Sequence, residues 1–235
     1  MIGRSGDRLE WQRDVKEQGF AVVPGLFSAK EIIVLLVSLA DLTQRNHRAG
    51  IRHVLMRPGI RMIAQEERLL GMARAVLGNT AFPFRATLFV KSPDSNWLIA
   101  WHQDTALPLM EQREVPGWGP WSVKEGVTYA HAPASALNQV LALRLHLDDC
   151  DHANGPLRVL PGTHDMGVLS DDQVSRLGAE RGAIECVVGK GGVVAMRPLI
   201  VHASSKSQSN EPRRVLHIEY AARMRFEADL ELAVT

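Results

Sequence analysis

The stretch Trp101-His102-Gln103-Asp104-Thr105 sets an imidazole and a carboxylate two residues apart. In a β-strand successive side chains alternate between faces, so His102 and Asp104 would project from the same side. In a helix the same pair would diverge by roughly 200°, at 3.6 residues per turn. The spacing has chemical meaning on a strand, and only where a third group meets the pair. An imidazole nitrogen and a carboxylate oxygen on one face are two ligands for a metal ion. The third candidate is His202, in LIVHASS, at the end of an apolar strand where a polar side chain has no packing reason to sit. Two histidines and one carboxylate with open positions opposite them form the ligand set of non-haem Fe(II) oxygenases. Eleven residues further on, Arg213 opens the strand in EPRRVLHIEY. Its planar fork suits bidentate capture of a carboxylate. Arg214 is its rival and, by strand alternation, leaves from the opposite face.

Several elements must hold these residues in place. Residues 9–18 read as a short polar helix, and GFAVVPG as a brief buried strand closed by a Pro-Gly turn. Ser28-Ala-Lys-Glu31 is a capping box that opens an amphipathic helix predicted to run to about Arg45. A second helix fits 65–77, stopped by Gly78-Asn79. From residue 82 the texture changes to short strands: FPFRATLFV, NWLIAWHQD, NQVLALRLHLDD, PLRVLPG, GGVVAMR, LIVHAS and RRVLHIEYAAR. Helices followed by strands predict an α+β, mainly β fold, with the N-terminal helices packed on one face of an antiparallel sheet or barrel. No repeat, low-complexity stretch or linker divides the chain. A single domain over 1–235 is expected, helical to about residue 80 and barrel-like over about 81–225.

Two segments carry more detail. In VLALRLHL, Leu141, Leu143, Leu145 and Leu147 form one face, with Val140, Ala142, Arg144 and His146 on the other. If the leucines pack on helices, Arg144 and His146 look into a polar cavity or into solvent. Residues 106–138 hold four prolines, Trp118 and Trp121. Loops of this length are commonly functional, so a lid loop that closes over a pocket on ligand binding is expected, a packed Ω-loop being the alternative.

Composition narrows the function classes. Of 235 residues 46% are apolar, enough for a substantial core, and a net charge of +1 advertises neither a nucleic-acid nor an anionic-membrane partner. Cys150 and Cys186 are too few for a disulfide framework, which favours a reducing compartment and a cytoplasmic protein with inert thiols. MIGRSGDRLEWQRD lacks the apolar core of a signal peptide, and IIVLLVSLA (32–40) is far too short to span a bilayer. GKGG (189–192) lacks the order of a phosphate loop and reads as a hairpin turn. His131, His146, His164 and His217 read as structural or supporting residues, and Trp97 and Trp101 as core.

The HxD pair, a distal histidine about a hundred residues later and an arginine eleven further resemble the Fe(II)/2-oxoglutarate dioxygenases. With NGPLRVLPGTH (154–164), GFAVVPGLFS near the start and HASS…PRR near the end, residues 12–222 resemble the phytanoyl-CoA dioxygenase family. The resemblance implies a double-stranded β-helix, the jelly roll or cupin-like barrel, with Fe(II) held by His102, Asp104 and His202. It implies that Arg213 binds the distal carboxylate of 2-oxoglutarate and that Ser204 donates a hydrogen bond to it. Arg144 stands where the family can place an aromatic residue facing the cosubstrate. The implied reaction consumes 2-oxoglutarate and O2, releases succinate and CO2, and hydroxylates an unactivated C–H bond of a small organic substrate. Asp104 keeps the carboxylate that related halogenases replace by a small residue, so hydroxylation is the expected outcome. Two rival classes are a cupin-like hydrolase or isomerase using Zn2+ or Mn2+ without a 2-oxo acid, and a non-catalytic small-molecule-binding barrel. The family acts on acyl-CoA esters, small polar solutes and natural-product skeletons. Arg57, Arg61, Lys91 and Arg113 are available for a CoA phosphate but form no cluster in the sequence, and the Trp/Pro segment suggests a partly apolar small molecule.

Overall fold

Ser28 and Glu31 close the capping box: the Ser28 hydroxyl accepts the Glu31 N–H at 3.4 Å, and Glu31 Oε2 accepts the Ser28 N–H at 2.8 Å. In the computed structural model, which describes residues 5–45 and 50–235 (side chains over 10–42 and 50–235), α1 (Ser5–Glu17) and β1 (Phe20–Val23) precede this cap. The helix it opens, α2 (Ala29–Ser38), is shorter than predicted, and α3 (Ala40–Arg45) follows after a turn at Leu39. Ser38 explains the break, because its hydroxyl donates back to the Leu35 carbonyl at 2.7 Å and competes with the helix ladder. β2 (Gly50–Ile51) and α4 (Pro58–Ala64) were not foreseen, although Pro58 at the first helical turn is a start signal. The predicted second helix is α5 (Glu67–Leu77), ended by Gly78.

The strands follow in order: β3 (Phe82–Lys91), β4 (Ile99–His102), β5 (Ala106–Leu109), β6 (Trp121–Lys124) and β7 (Val127–His131). After the short α6 (Ala134–Leu137) come β8 (Val140–His146) and β9 (Leu157–Val159), then α7 (Asp171–Glu180). β10 (Ile184–Cys186), β11 (Val193–Met196), β12 (His202–Ser204) and β13 (Arg213–Ala221) complete the strands of the described residues. They form a six-stranded sheet, β1-β11-β8-β13-β3-β2, a four-stranded sheet, β10-β9-β12-β4, and a three-stranded sheet, β5-β7-β6. Every pairing is antiparallel. The fold is mixed α/β and mainly β.

Side-chain alternation sets what each face of the six-stranded sheet does. Leu141, Leu143, Leu145, Leu147, Leu216, Ile218 and Tyr220 pack with Ile32, Leu35, Leu69 and Ala73 of the helices in one buried cluster. The Tyr220 hydroxyl donates to the Ala64 carbonyl at 2.7 Å and ties the sheet to α4. The opposite face meets the four-stranded sheet, where Ala142, Val194 and Met196 pack on Leu157 and Val159. Arg144, Arg213, His217 and Glu219 lie on that inner face and are all buried.

Residues 106–138, read from the sequence as one long lid loop, hold regular structure of their own. They build β5, β6, β7 and α6, and Leu107, Leu109, Trp118, Ala130 and Leu137 share a buried cluster with Phe84, Leu199, Leu230 and Leu232. Strands of four or five residues, one holding Pro108, are too short for alternation to reveal. GKGG is the expected turn. Gly191 has φ +82 and donates to the His146 carbonyl at 2.8 Å, and any side chain there would overlap the Phe27 carbonyl. Among the described residues no helix is long and apolar enough to cross a membrane.

Candidate metal centre and its pocket

β4 and β12 are paired so that His102 sits directly opposite His202, with ring centroids 4.2 Å apart. Each ring's Nδ1 lies 2.9 Å from the carbonyl oxygen two residues earlier, Ala100 for His102 and Ile200 for His202. A carbonyl only accepts, so both Nδ1 atoms carry protons and both Nε2 lone pairs turn inward, as a metal requires. β4 ends at His102, and Asp104 stands just beyond it, its N–H donating to the Pro198 carbonyl at 2.9 Å. Asp104 Oδ1 is 3.7 Å from His102 Nε2, and Oδ2 is 3.5 Å from His202 Nε2. The three ligand atoms lie within 4.8 Å of one another, a spacing that can hold one metal ion.

Gln103, between the two ligands, points the other way. Its side chain accepts the Leu169 N–H at 2.8 Å and donates to the carbonyls of Gly167 (2.9 Å) and Leu199 (2.7 Å). The glutamine of WHQDT therefore locks the turn that presents Asp104.

Electrostatics favour the ligating forms. Burial acts to raise the Asp104 pKa, but His202, His102, His217 and Arg85 outweigh it and hold the carboxyl below its ordinary range. Burial pushes His202 down to about 4, against the pull of Asp104, so its imidazole is neutral at neutral pH.

NGPLRVLPGTH acts as the brace of the His202 strand. β9 pairs with β12, Val159 opposite His202 and Leu157 opposite Ser204. Thr163 Oγ1 accepts the Val201 N–H at 2.8 Å and donates to the Leu160 carbonyl at 2.7 Å. Gly155 has φ +68, and a Cβ there would overlap the Ser205 carbonyl beside Lys91. Only glycine combines that backbone conformation with so close an approach.

The triad opens on a cavity of about 250 Å³ whose wall includes Arg85, Arg144, Arg213, His217 and Glu219. Arg213 is buried, and among the described residues its Nε and Nη1 have no hydrogen-bond partner. Arg214 leaves the other face: its Nε and backbone N–H donate to Asp148 Oδ2 at 2.7 and 2.9 Å, and its Nη2 to Oδ1 at 2.7 Å. Arg144 looks into the cavity rather than into solvent, with Nη1 3.1 Å from His217 Nδ1 and Nε unpartnered. Burial, aided by the charge of Arg213, lowers its pKa to about 10, so it remains a cation at neutral pH.

The phytanoyl-CoA dioxygenase (PhyH) family model matches residues 15–215. The chain belongs to this family. It is 26% identical over 178 residues to the L-proline trans-4-hydroxylase of Streptomyces griseoviridis, a match covering 65% of this chain and 59% of that protein. It is 23% identical over 217 residues to the ectoine dioxygenase of Stutzerimonas stutzeri, covering 76% and 65%. The PhyH-family chain thus spans less than two thirds of the length of both relatives. Its fold is similar to that of EctD from S. alaskensis, whose crystal structure holds 2-oxoglutarate and 5-hydroxyectoine. The TM-score is 0.69 at 18% identity, covering 90% of this chain and 75% of that one.

Within this PhyH-family site several residues depart from the sequence expectations. Ser204 lines the cavity, but its hydroxyl donates to the Gly155 carbonyl at 2.9 Å and accepts from Lys91 Nζ at 2.8 Å. Its one proton is committed to the backbone. Trp97 lines the cavity instead of the core, whereas Trp101 packs beside Leu160, Val174 and Val201. Arg57 pairs with Asp41 and Arg113 with Glu111, so neither joins Lys91 in a basic cluster.

Sequence reasoning missed Arg85 and Glu219 as site residues, and named Lys91 only as a cation available to a CoA phosphate. Lys91 is buried opposite Arg213, donates to Ser204 and the Ser205 carbonyl, and has its pKa lowered to about 8 by burial and by Arg213. Arg85 holds Glu219 through two nitrogens, Nη2 donating to Oε1 at 2.5 Å, and donates to the Ala106 carbonyl at 3.0 Å. The signal was present: in FPFRATLFVK alternation sets Arg85, Thr87, Phe89 and Lys91 on one face.

Proposed function

We propose that this PhyH-family chain is an Fe(II)- and 2-oxoglutarate-dependent dioxygenase that hydroxylates an unactivated C–H bond of a small organic substrate. One observation carries the reading: a preset two-histidine, one-carboxylate triad shares a cavity with Arg213, a buried arginine whose Nε and Nη1 lack partners. Buried donors are normally satisfied, so this end fits a carboxylate that arrives from outside. His102, Asp104 and His202 would hold the iron through two Nε2 atoms and a carboxylate oxygen. Arg213 would bind the distal carboxylate of 2-oxoglutarate, and Arg144, opposite His217 and so four residues along β13 from Arg213, would face the same molecule. Ser204, steadied by Lys91, would line its path, its proton remaining with Gly155.

When bound, iron with 2-oxoglutarate and O2 supplies the oxidation, giving succinate, CO2 and a hydroxylated product. The protein's part is to hold its ligands in fixed tautomers, orient the cosubstrate by the arginine fork and exclude water. The two facing antiparallel sheets are read as a double-stranded β-helix within one domain, and β6 and β7, which place Lys124 and Tyr129 in the cavity wall, as its cover. The two unpaired buried thiols fit a reducing compartment such as the cytoplasm.

Anaerobic titration of the full chain with Fe(II) and then 2-oxoglutarate tests the reading through the weak visible absorption of the iron–2-oxo acid pair. Admitting O2 should then release succinate. No absorption and no succinate, with Zn2+ or Mn2+ bound instead, would favour the hydrolase class.

A further inference from the structure

The dioxygenase reading leaves the outer wall of the cavity without a task, and the substrate class inferred from that wall rests on the same reading. Lys124, at the end of β6, and Arg52, just after β2, approach from different parts of the chain and both line the cavity. The Lys124 ammonium lies 5.2 Å above the Tyr129 ring, and among the described residues it has no ion-pair partner. Arg52 has one partner, Glu125 at 3.3 Å, and both side chains are more than one third exposed.

Charge counting shows what is missing. The wall carries Arg52, Arg85, Lys124, Arg144 and Arg213 against Asp104 and Glu219, with Glu125 at the rim. Among the described residues five positive charges therefore meet three negative ones, leaving the imidazoles aside. Fe(II) and doubly negative 2-oxoglutarate cancel, so loading the site does not remove the excess. Succinate is also a dianion, so turnover does not remove it either. Arg85 is taken by Glu219, and Arg213 by the cosubstrate in the proposed reading. The unmatched charge then resides on Arg144 and on the mouth pair. A neutral substrate closing this mouth would strand cations in a drier environment, which is costly, while an anionic one would supply their partner.

We infer that the substrate is a small organic anion whose charged group, a carboxylate or a phosphate, is received by Lys124 and Arg52 at the cavity mouth. Its carbon skeleton then lies against Tyr129 and Trp97, toward the metal. The cavity of about 250 Å³ lies below the roughly 300–1,000 Å³ of pockets for drug-sized ligands, which keeps that skeleton small. Lys124 is exposed at the rim, and partial burial of its ammonium, with the like charges of Arg52 and Arg85, lowers its pKa.

The test is ligand-observed NMR on the full chain loaded with 2-oxoglutarate and Zn(II) in place of iron. Its probes are carboxylic acids paired with their amides, and phosphate monoesters paired with their parent alcohols. Anions should bind at least about tenfold more tightly than their neutral partners, and added salt should weaken them. Whichever anion class shows the larger ratio identifies the group received. Lys124→Gln should reduce the preference, and the Lys124→Glu/Arg52→Glu variant should abolish it, with thermal unfolding confirming that both variants fold. If no anion outbinds its neutral partner, or if the preference survives charge reversal, the inference is overturned. The Fe(II)–2-oxoglutarate titration on the same batch reports separately on the dioxygenase reading.

Discussion

The two ends of the cavity are built by opposite rules. At the metal end each histidine has its Nδ1 fixed by a backbone carbonyl, and Gln103 pins the turn that carries Asp104. At the arginine end Arg213 Nε and Nη1 and Arg144 Nε are buried without a hydrogen-bond partner among the described residues. A buried donor left without a partner costs about 1–3 kcal/mol, more if charged. The fold accepts that cost at one end of the site and avoids it at the other. The metal end is preorganised by the chain alone, whereas the arginine end is completed by what binds there.

The severest way to break this comparison is to remove the preorganised ligands. A His102→Ala/Asp104→Ala variant should fall from one iron per chain to none, measured by elemental analysis after anaerobic loading. Retained iron would place the metal elsewhere. Next in size is the arginine end. Breaking a buried ion pair from one side costs about 3–5 kcal/mol, so Arg213→Ala should weaken 2-oxoglutarate by at least roughly a hundredfold with iron binding intact. Arg213→Lys should restore only part, since an ammonium cannot reproduce two parallel hydrogen bonds. Arg214→Ala should leave cosubstrate affinity nearly unchanged and act on stability instead, because it deprives Asp148 of its side-chain donors. Damage to 2-oxoglutarate binding from Arg214→Ala and none from Arg213→Ala would reverse the assignment of faces.

The metal end was far more legible in the sequence than the arginine end. HxD and LIVHASS point to the three ligands through strand alternation, although β4 ends at His102 and Asp104 is presented by the turn that Gln103 pins, and the brace NGPLRVLPGTH is continuous in the chain. That Arg213 and Arg214 leave opposite faces was readable from strand alternation. The commitment of the Ser204 proton was not, because its partners Gly155 and Lys91 are 49 and 113 residues away. The Arg85–Glu219 pair was not readable as a pair, because alternation gives the face of each residue but not the β3–β13 register that sets them opposite one another. The sheet within 106–138 escaped because each strand is short and its apolar partners, Phe84, Leu199 and Leu230, lie outside the segment. The break at Ser38 is a local hydrogen bond that no periodicity announces.

The smallest expected effect concerns His146, which shares the inner side of β8 with Arg144 but does not line the cavity. It is fully buried, both ring nitrogens lack partners among the described residues, and burial, with Arg144 and Arg213 nearby, holds its pKa well below the usual histidine range. In the unfolded chain the same ring takes a proton near its ordinary pKa of about 6.5. Between the depressed folded value and 6.5 the unfolded state therefore binds more protons, so stability falls as pH falls. The slope from one such group approaches about 1.4 kcal/mol per pH unit well below 6.5 and vanishes above it. Unlike the arginines, His146 has no ligand to complete it, so neither iron nor 2-oxoglutarate should flatten this slope. His146→Phe should flatten it, because the aromatic volume stays while the titratable nitrogens go. Urea unfolding of both proteins from pH 7.5 to 5.5 measures the difference. Parallel curves would mean that His146 finds a proton partner in the folded state, and that the arginine end is better satisfied than its geometry indicates.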